Sequence, residues 1–282
     1  MEMTTDGGLA CGLVLCGPDQ LVENLAPIAA AGYAGVELHP PHLDAYAADP
    51  AAGAAARDAI AAAGLAIACA NVNVLRDSEF PDTTFARLDA ALALGAPRVF
   101  ALMGNAQGGT WEEALRRFRA VCDRAGEHGA QVVLHHHAGT PVTGAASIER
   151  FLDEVDRPNA GLLFDTAHWA LYEDDLAGAY ARLGGRVDYV HAKDLAAPGR
   201  ELMDGRPGDT LEGVRDLVPS YADVGAGVLD LAGFARVLSD GGYGGWTTIE
   251  METLRHASFA EQAAFNAAAW RALAPAGEEA TT

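Results

Sequence analysis

Three consecutive histidines near the middle of the sequence have the residue type and spacing to do chemistry. His135, His136 and His137 follow a run of strand-forming residues, 132–134, and residues 138–141 then break the strand. Because side chains alternate across a strand, His135 and His137 share one face while His136 points the other way. Paired imidazoles at a strand end often hold a divalent metal, although solvated histidines at a polar strand terminus explain this run alone equally well.

Three later apolar segments also end in polar groups. They supply Asp165 with His168, His191 with Lys193, and Glu250. Lys193 is the only lysine in the chain, which indicates either a position that requires a compact ammonium or the chance survival of one surface lysine. Taken singly, Asp165 can be read as the cap of the following turn, His168 as a loop histidine, and Glu250 and Glu252 as solvated strand-end charges.

Apolar and helical segments alternate eight times along the 282 residues. The predicted strands are 9–16, 35–39, 65–74, 98–103, 132–137, 160–165, 187–193 and 245–250. The predicted helices are 20–31, 50–63, 82–94, 111–128, 147–155, 174–183, 231–240 and 258–273, and Thr110 with Glu113 forms a capping box at the start of the fourth. This alternation predicts an α/β protein with one domain over residues 1–282, a (β/α)8 TIM barrel. A doubly wound sheet would instead require a glycine-rich phosphate turn, and no GxGxxG motif follows the first strand.

One long segment, residues 195–227, interrupts the alternation and is rich in Pro, Gly, Asp and Arg. Loops of this length in compact domains are usually functional or disordered, so we expect this loop to lie over the active site. The tail, residues 275–282, is expected to be frayed.

The barrel prediction gives the polar strand ends a common location. In a TIM barrel the C-terminal ends of the strands meet at the active site, so His135 would join Asp165, His191 and Glu250 there. This mixed imidazole and carboxylate set suits a divalent metal, Mn²⁺ or Co²⁺ first, with Zn²⁺, Fe²⁺ or Mg²⁺ as alternatives. Four polar residues of the second and third predicted strands are candidate contacts to substrate hydroxyls: Glu37, His39, Asn71 and Asn73.

The composition restricts the partners. Lys plus Arg number 19 against 39 Asp plus Glu, a formal net charge of −20, which repels nucleic acids and anionic membranes and favours a neutral small molecule. No apolar run approaches the roughly 18 residues of a membrane span, and the N-terminus lacks signal-peptide features, so a cytoplasmic protein is expected. The four cysteines lack metal-binding spacing and are expected to be reduced and buried.

The chain resembles the xylose-isomerase-like TIM barrel superfamily of sugar isomerases and epimerases, and within it the inosose (2-keto-myo-inositol) dehydratases. The resemblance lies in the motifs HHHAGT (135–140), LLFDTAHWAL (162–171), VDYVHAKD (187–194), VGAG (224–227) and GWTTIEMET (245–253). Most members bind one divalent metal through Glu, Asp, His and Glu on four consecutive strands, which implies Asp165, His191 and Glu250 as ligands here. His135 stands where most relatives carry Glu, and whether His135 or His137 is the ligand stays open.

The departure at His135 affects the expected reaction. Epimerases and isomerases of the superfamily use the two glutamates as an acid/base pair, and this chain lacks one of them. The resemblance therefore implies a metal-dependent lyase that dehydrates a cyclic polyol ketone through an enolate. Glu250 or a histidine of the run would be the base, and His168, His137 or Lys193 would protonate the leaving β-hydroxyl.

Several alternatives compete with this dehydratase. A metal-dependent sugar epimerase or isomerase, or a lyase acting on an oxidised glycoside, would use the same metal set, and a non-catalytic binding barrel would keep it without chemistry. A DNA-repair endonuclease of related fold is disfavoured by the charge of −20. Because relatives are often dimers or tetramers, the resemblance also raises the possibility of a homo-oligomer.

Overall fold

Eight segments rich in small and branched apolar residues form parallel strands that close into a barrel. The computed structural model describes residues 7–76, 78–103, 110–204 and 214–273. The barrel strands are β1 (Gly8–Gly12), β2 (Gly35–Leu38), β3 (Ala66–Leu75), β4 (Arg98–Met103), β5 (Gln131–His135), β6 (Ala160–Asp165), β7 (Val187–Ala192) and β10 (Trp246–Ile249). Around the barrel they follow chain order, and β10 closes on β1. The predicted (β/α)8 TIM barrel is confirmed.

Helices connect the strands and cover the outside of the barrel. They are α1 (Leu21–Ala30), α2 (Pro40–Ala48), α3 (Pro50–Ala62), α4 (Asp82–Ala93), α5 (Trp111–Gly126), α6 (Ala145–Val155), α7 (Thr166–Ala170), α8 (Leu176–Leu183), α9 (Gly199–Met203), α10 (Leu231–Asp240) and α11 (Phe259–Leu273). The capping box of α5 forms as predicted, since Glu113 accepts from the Thr110 backbone and Thr110 accepts from the Glu113 backbone. Within the described ranges, no helix is both long and apolar enough to cross a membrane.

Local differences from the sequence predictions have identifiable causes. Strand β1 ends at Gly12 rather than residue 16, and β5 ends at His135 rather than residue 137. Helix α2 was missed because Pro40 and Pro41 suggest a break, whereas proline is well tolerated in the first turn of a helix. Helix α7 was also missed; it has only five residues.

The segment 195–227 carries more regular structure than expected. It contains α9 and the strand β9 (Tyr221–Ala222), which pairs antiparallel with β8 (Asp194–Leu195). Apolar residues of this segment pack on the loops that follow β5 and β6, among them Leu195, Leu217 and Tyr221. Residues 205–213 of the segment, and the tail 275–282, lie outside the described residues.

The barrel interior is apolar in its lower part and polar at the C-terminal strand ends. Phe100, Val133, Leu163, Tyr189 and Trp246 belong to its buried apolar cluster. Because inward-facing residues recur every second position, the same face continues into polar residues: His135 after Val133, Asp165 after Leu163, and His191 after Tyr189. The four cysteines are buried free thiols, as expected.

Asp194, just beyond β7, holds the backbone that follows β9 in place through hydrogen bonds. Its Oδ1 accepts hydrogen bonds from the backbone N–H groups of Leu195 and Leu229, at 2.9 and 3.1 Å. Its Oδ2 accepts from Gly225 and Gly227, at 3.0 and 3.1 Å. A Cβ atom on Gly227 would overlap the Asp194 carboxylate, which explains the second glycine of the VGAG motif. One buried carboxylate thus anchors the segment that covers the strand ends.

Replacing Asp194 with Ala should destabilise the protein, because four backbone donors lose their acceptor. We expect the free energy of unfolding to fall by roughly 3 kcal/mol, the scale for buried donors left unsatisfied. Urea denaturation followed by circular dichroism measures this, with Asp240→Ala at an exposed aspartate as the control. Equal stability of the two variants would contradict the anchoring role.

Candidate functional site

Four polar side chains from four strands converge at the C-terminal end of the barrel. His135 Nε2 lies 3.4 Å from Asp165 Oδ2, and His191 Nδ1 lies 3.5 Å from the same oxygen. His191 Nδ1 is also 3.2 Å from Oε2 of Glu250, the residue that follows β10. The ring of Phe100 closes the cluster from below, edge-on to His135 and His191 at 5.3 Å between centroids. The structure therefore brings together the four side chains predicted as metal ligands.

Asp165 faces the cluster because of how β6 ends. As the N-cap of α7, its Oδ1 accepts a hydrogen bond of 2.9 Å from the His168 backbone, which leaves Oδ2 for the cluster. The Asp165 backbone N–H in turn donates to His136 Nε2 at 3.0 Å. His136 points away from the barrel interior, as predicted, and packs on Phe164 and Trp169. The capping interpretation of Asp165 is thus confirmed for Oδ1, whereas its prediction as a metal ligand concerns Oδ2.

The atoms of this cluster suit a divalent cation. Among the described residues, no well-formed hydrogen bond reaches Asp165 Oδ2, His191 Nδ1 or either ring nitrogen of His135, all of which are buried. Ligand atoms of His135, Asp165 and His191 lie within 4.8 Å of one another. Leaving buried polar atoms unpaired is costly, and imidazole with carboxylate is a donor set preferred by borderline divalent metals. The residues present therefore fit the expected group.

The structure separates the positions of His135 and His137. His135 belongs to the cluster, whereas the His137 ring packs against the His168 ring, tilted by 40° with 3.6 Å between centroids. His137 Nδ1 lies 2.6 Å from the Ala138 carbonyl oxygen, and within the described part of the chain neither ring nitrogen of His168 has a hydrogen-bond partner. The geometry therefore favours His135 as the ligand from β5 and leaves His137 and His168 facing the pocket.

Lys193 is buried among carboxylates rather than on the surface. It is 2% exposed, and its Nζ lies 2.7 Å from Glu250 Oε2 and 3.7 Å from Asp165 Oδ2. A further ion pair joins it to Glu252, and its ammonium lies 4.6 Å from the centroid of the Tyr221 ring. The only lysine is thus a compact cation inside the site, and Glu252 is a site residue that sequence reasoning left as a strand-end charge.

Charge pairing sets the protonation of the cluster. Burial alone would raise the pKa of Asp165 and Glu250, but the Lys193 ammonium and nearby imidazoles lower both well below the usual carboxyl range. Burial would lower the pKa of His191 and Lys193, but the surrounding carboxylates raise both. For four other imidazoles burial outweighs the opposing effect of Asp165 and lowers the pKa: His135, His136, His137 and His168.

A cavity of about 430 Å³ opens above the cluster. Eight of the predicted site residues line it: His39, Asn71, Asn73, His135, His137, His168, Lys193 and Glu250. The segment 195–227 contributes Val214, Arg215, Val218 and Tyr221, and β1 and β3 are followed by the lining residues Val14 and Arg76. The two arginines and Glu252 were missed, because no local pattern shows which loop residues turn inward.

Glu37 was predicted to contact substrate hydroxyls, but it lies outside the cavity lining. It is fully buried behind the cluster, with Oε2 2.9 Å from His191 Nε2 and Oε1 3.0 Å from His39 Nε2. Burial alone would raise its pKa, but the charge and hydrogen bonds of His191 and His39 lower it to about 2. Glu37, His191 and Glu250 also offer ligand atoms within 4.8 Å of one another. The sequence signal for the contact between Glu37 and His39 was their spacing of two residues, which puts both side chains on the same face of the strand.

Comparison with known protein families places the chain among proteins of the same architecture. The family model described as xylose isomerase-like TIM barrel matches residues 25–272. The inosose dehydratase of Lacticaseibacillus casei is 31% identical over 142 residues, which cover 50% of this chain and 47% of that protein. The chain therefore spans about half the length of this curated relative.

Two solved structures share the fold over nearly the whole chain. The probable 3-DHS dehydratase AsbF of Bacillus anthracis aligns with a TM-score of 0.74 at 15% identity, covering 94% of this chain and 98% of that one. The IOLI protein, solved with a bound zinc atom, aligns with a TM-score of 0.72 at 17% identity, covering 94% and 96%. At these identities the likeness establishes the barrel fold alone.

The cluster predicts that His191→Ala weakens metal binding. We expect a loss of affinity for Mn²⁺ larger than the 10- to 100-fold typical of outer-shell changes, because a direct donor is removed. Isothermal titration calorimetry and elemental analysis of the purified protein measure affinity and stoichiometry. His128→Ala, at an exposed histidine, is the control. Stoichiometric metal at unchanged affinity in His191→Ala would rule out the ligand assignment.

Proposed function

The chain belongs to the xylose isomerase-like TIM barrel family, and on that premise we propose that it is a divalent-metal-dependent lyase that dehydrates a cyclic polyol ketone such as 2-keto-myo-inositol. The observation that carries the proposal is the buried cluster of His135, Asp165, His191 and Glu250 beneath the cavity. The inosose dehydratases, about 30% identical over half of the chain, support the same reaction class.

The arrangement of carboxylates favours dehydration over epimerisation. Inverting a carbon with two carboxylates requires one on each face of the substrate. Among the described residues that line the cavity, the carboxylates are Glu250 and Glu252, and both follow β10. The β5 side presents imidazoles instead. A reaction that removes a proton and a hydroxyl group fits this asymmetry better than one that exchanges a proton between two faces.

His135, Asp165, His191 and Glu250 would hold the cation in the proposed enzyme. A divalent cation there supplies Lewis-acid polarisation of a substrate ketone, which acidifies the adjacent C–H bond. The donors are held from three sides: α7 orients Asp165, Phe100 closes the floor, and Lys193 pairs with Glu250. Precise ligand placement of this kind is what a metal site requires of its protein.

Glu250 is the base in this proposal. Its carboxylate borders the cavity, and Lys193 and His191 lower its pKa despite burial, so it is ionised at neutral pH. It takes the proton from the carbon next to the ketone, and the electron pair of that C–H bond forms the carbon–carbon double bond. The bond to the β-hydroxyl breaks, and the departing oxygen takes a proton and leaves as water.

Lys193 is the proposed proton donor among the three candidates. The carboxylates around it raise its pKa against the effect of burial, so it carries a proton at neutral pH. Burial lowers the pKa of His137 to about 3 and that of His168 well below the usual range, so both imidazoles are neutral. We assign to His137 and His168 the orientation of substrate hydroxyls by hydrogen bonds.

Self-association of the chain stays a prediction.

The reaction itself is tested by incubating the Mn²⁺-loaded protein with 2-keto-myo-inositol in D₂O. We expect a product lighter by one water, seen by mass spectrometry and proton NMR, and its loss when the metal is chelated. Other ketoses and oxidised glycosides serve as comparison substrates. Deuterium incorporation without loss of water would instead identify an epimerase or isomerase.

The role of Lys193 predicts a selective catalytic defect. Lys193→Gln should lower kcat by about 10²- to 10⁴-fold, the usual contribution of a positioned acid or base. Bound metal should persist, because the ammonium is not a ligand. Steady-state kinetics together with metal analysis separate the two effects, and Arg200→Gln, at a highly exposed cation, is the control. Unchanged kcat in Lys193→Gln would exclude it as the donor.

A further inference from the structure

We propose that Glu37 is a positioning residue of this site, which holds His191 with Nδ1 turned toward Asp165 and Glu250 and holds His39 at the cavity wall. The proposal rests on the metal-dependent function proposed above and extends it to a residue outside the cavity. Glu37 does not need to touch substrate for this role, because it acts through two histidines.

The contact between Glu37 and His191 crosses the barrel interior. Strands β2 and β7 are not neighbours, since β1 and β10 lie between them. Both side chains are fully buried, and Glu37 Oε2 lies 2.9 Å from His191 Nε2. A buried carboxylate at this distance must be compensated, and the facing imidazole provides the donor. The position of His191 is therefore set from the far side of the barrel as well as by its own strand.

In the neutral imidazole, the form that binds a metal, the direction of this hydrogen bond decides which ring nitrogen keeps its lone pair. An ionised carboxylate only accepts, so Nε2 of His191 must carry the hydrogen. The other nitrogen, Nδ1, faces Glu250 Oε2 at 3.2 Å and Asp165 Oδ2 at 3.5 Å. Metal-binding histidines typically donate their second N–H to a carboxylate, which sets the tautomer and orients the ring. Glu37 occupies the place of that carboxylate.

The second oxygen of Glu37 reaches a residue that faces the cavity. Oε1 lies 3.0 Å from Nε2 of His39, which lines the cavity, and the His39 backbone N–H donates to His42 Nδ1 at 3.4 Å. The Phe100 ring meets both His39 and His191 edge-on, at 6.3 and 5.3 Å between centroids. One carboxylate thus connects the metal ligand His191 with the cavity wall.

The test measures Co²⁺ binding without substrate. We expect Glu37→Gln, which keeps the shape but not the charge, to weaken Co²⁺ affinity about 10- to 100-fold, the range for outer-shell partners. Glu37→Met, which removes both acceptors, should weaken it at least as much. Both should still bind one ion per chain, with an altered Co²⁺ absorption spectrum. Glu149→Gln, at a surface carboxylate paired with Arg182, should leave affinity and spectrum unchanged.

Two further measurements separate positioning from a general loss of structure. Circular dichroism should show a native spectrum and a cooperative melt above the assay temperature for Glu37→Gln, and long-range ¹⁵N NMR should show the hydrogen on Nε2 of His191 in the metal-bound wild type. His39→Gln should raise KM without altering Co²⁺ affinity. Because Glu37→Met removes a buried carboxylate from between two imidazoles, Glu37→Gln is the deciding variant if Glu37→Met does not fold.

The outcomes distinguish this inference from the proposed reaction. Wild-type Co²⁺ affinity and spectrum in folded Glu37→Gln and Glu37→Met would overturn the role of Glu37 while leaving the dehydratase proposal intact. Weakened binding in both variants, with no water lost from any ketone by the wild type, would support Glu37 and refute the reaction. Absence of Co²⁺ binding in the wild type would overturn both.

Discussion

Charged groups buried in the barrel interior must be compensated by one another, and this requirement governs the site. Asp165 and Glu250 are ionised there because Lys193 and His191 face them. An isolated charge in such a place would cost several kcal/mol or would be neutralised by a change of pKa. The partners come from different strands, so the charge balance exists only when the barrel is closed. A divalent cation would add positive charge to a cluster that is rich in carboxylates.

Residues of this cluster are oriented by hydrogen bonds that their other atoms make with the surrounding structure. Asp165 caps α7 with one oxygen and faces His135 with the other. His136, which points out of the barrel, holds the Asp165 backbone. Beyond the strand ends, Asp194 anchors the chain that brings Val218 and Tyr221 over the cavity. Packing on the outside of the barrel therefore sets the geometry inside it.

The imidazole at position 135 separates this site from the two-glutamate arrangement that the resemblance associates with epimerases and isomerases. With His135 in the cluster and the neutral pair His137 and His168 beside it, the β5 side offers hydrogen-bonding groups rather than a second carboxylate. The acid and base of the proposed reaction, Lys193 and Glu250, then lie in contact at 2.7 Å. A proton taken up by Glu250 is therefore close to Lys193, which delivers a proton to the leaving hydroxyl.

Local patterns in the sequence were sufficient for the fold and for most of the candidate metal-ligand cluster. Strand and helix periodicity is a property of neighbouring residues, and the polar residues at strand ends, such as Asp165 and His191, are visible where each strand stops. The tertiary structure decided the rest. Strand β5 ends at His135, so His135 joins the cluster and His137 does not. Lys193 is buried, and Glu37 lies behind His191 instead of in the cavity. These outcomes depend on contacts between strands distant in sequence, and the closed barrel alone sets which side chains meet across its interior.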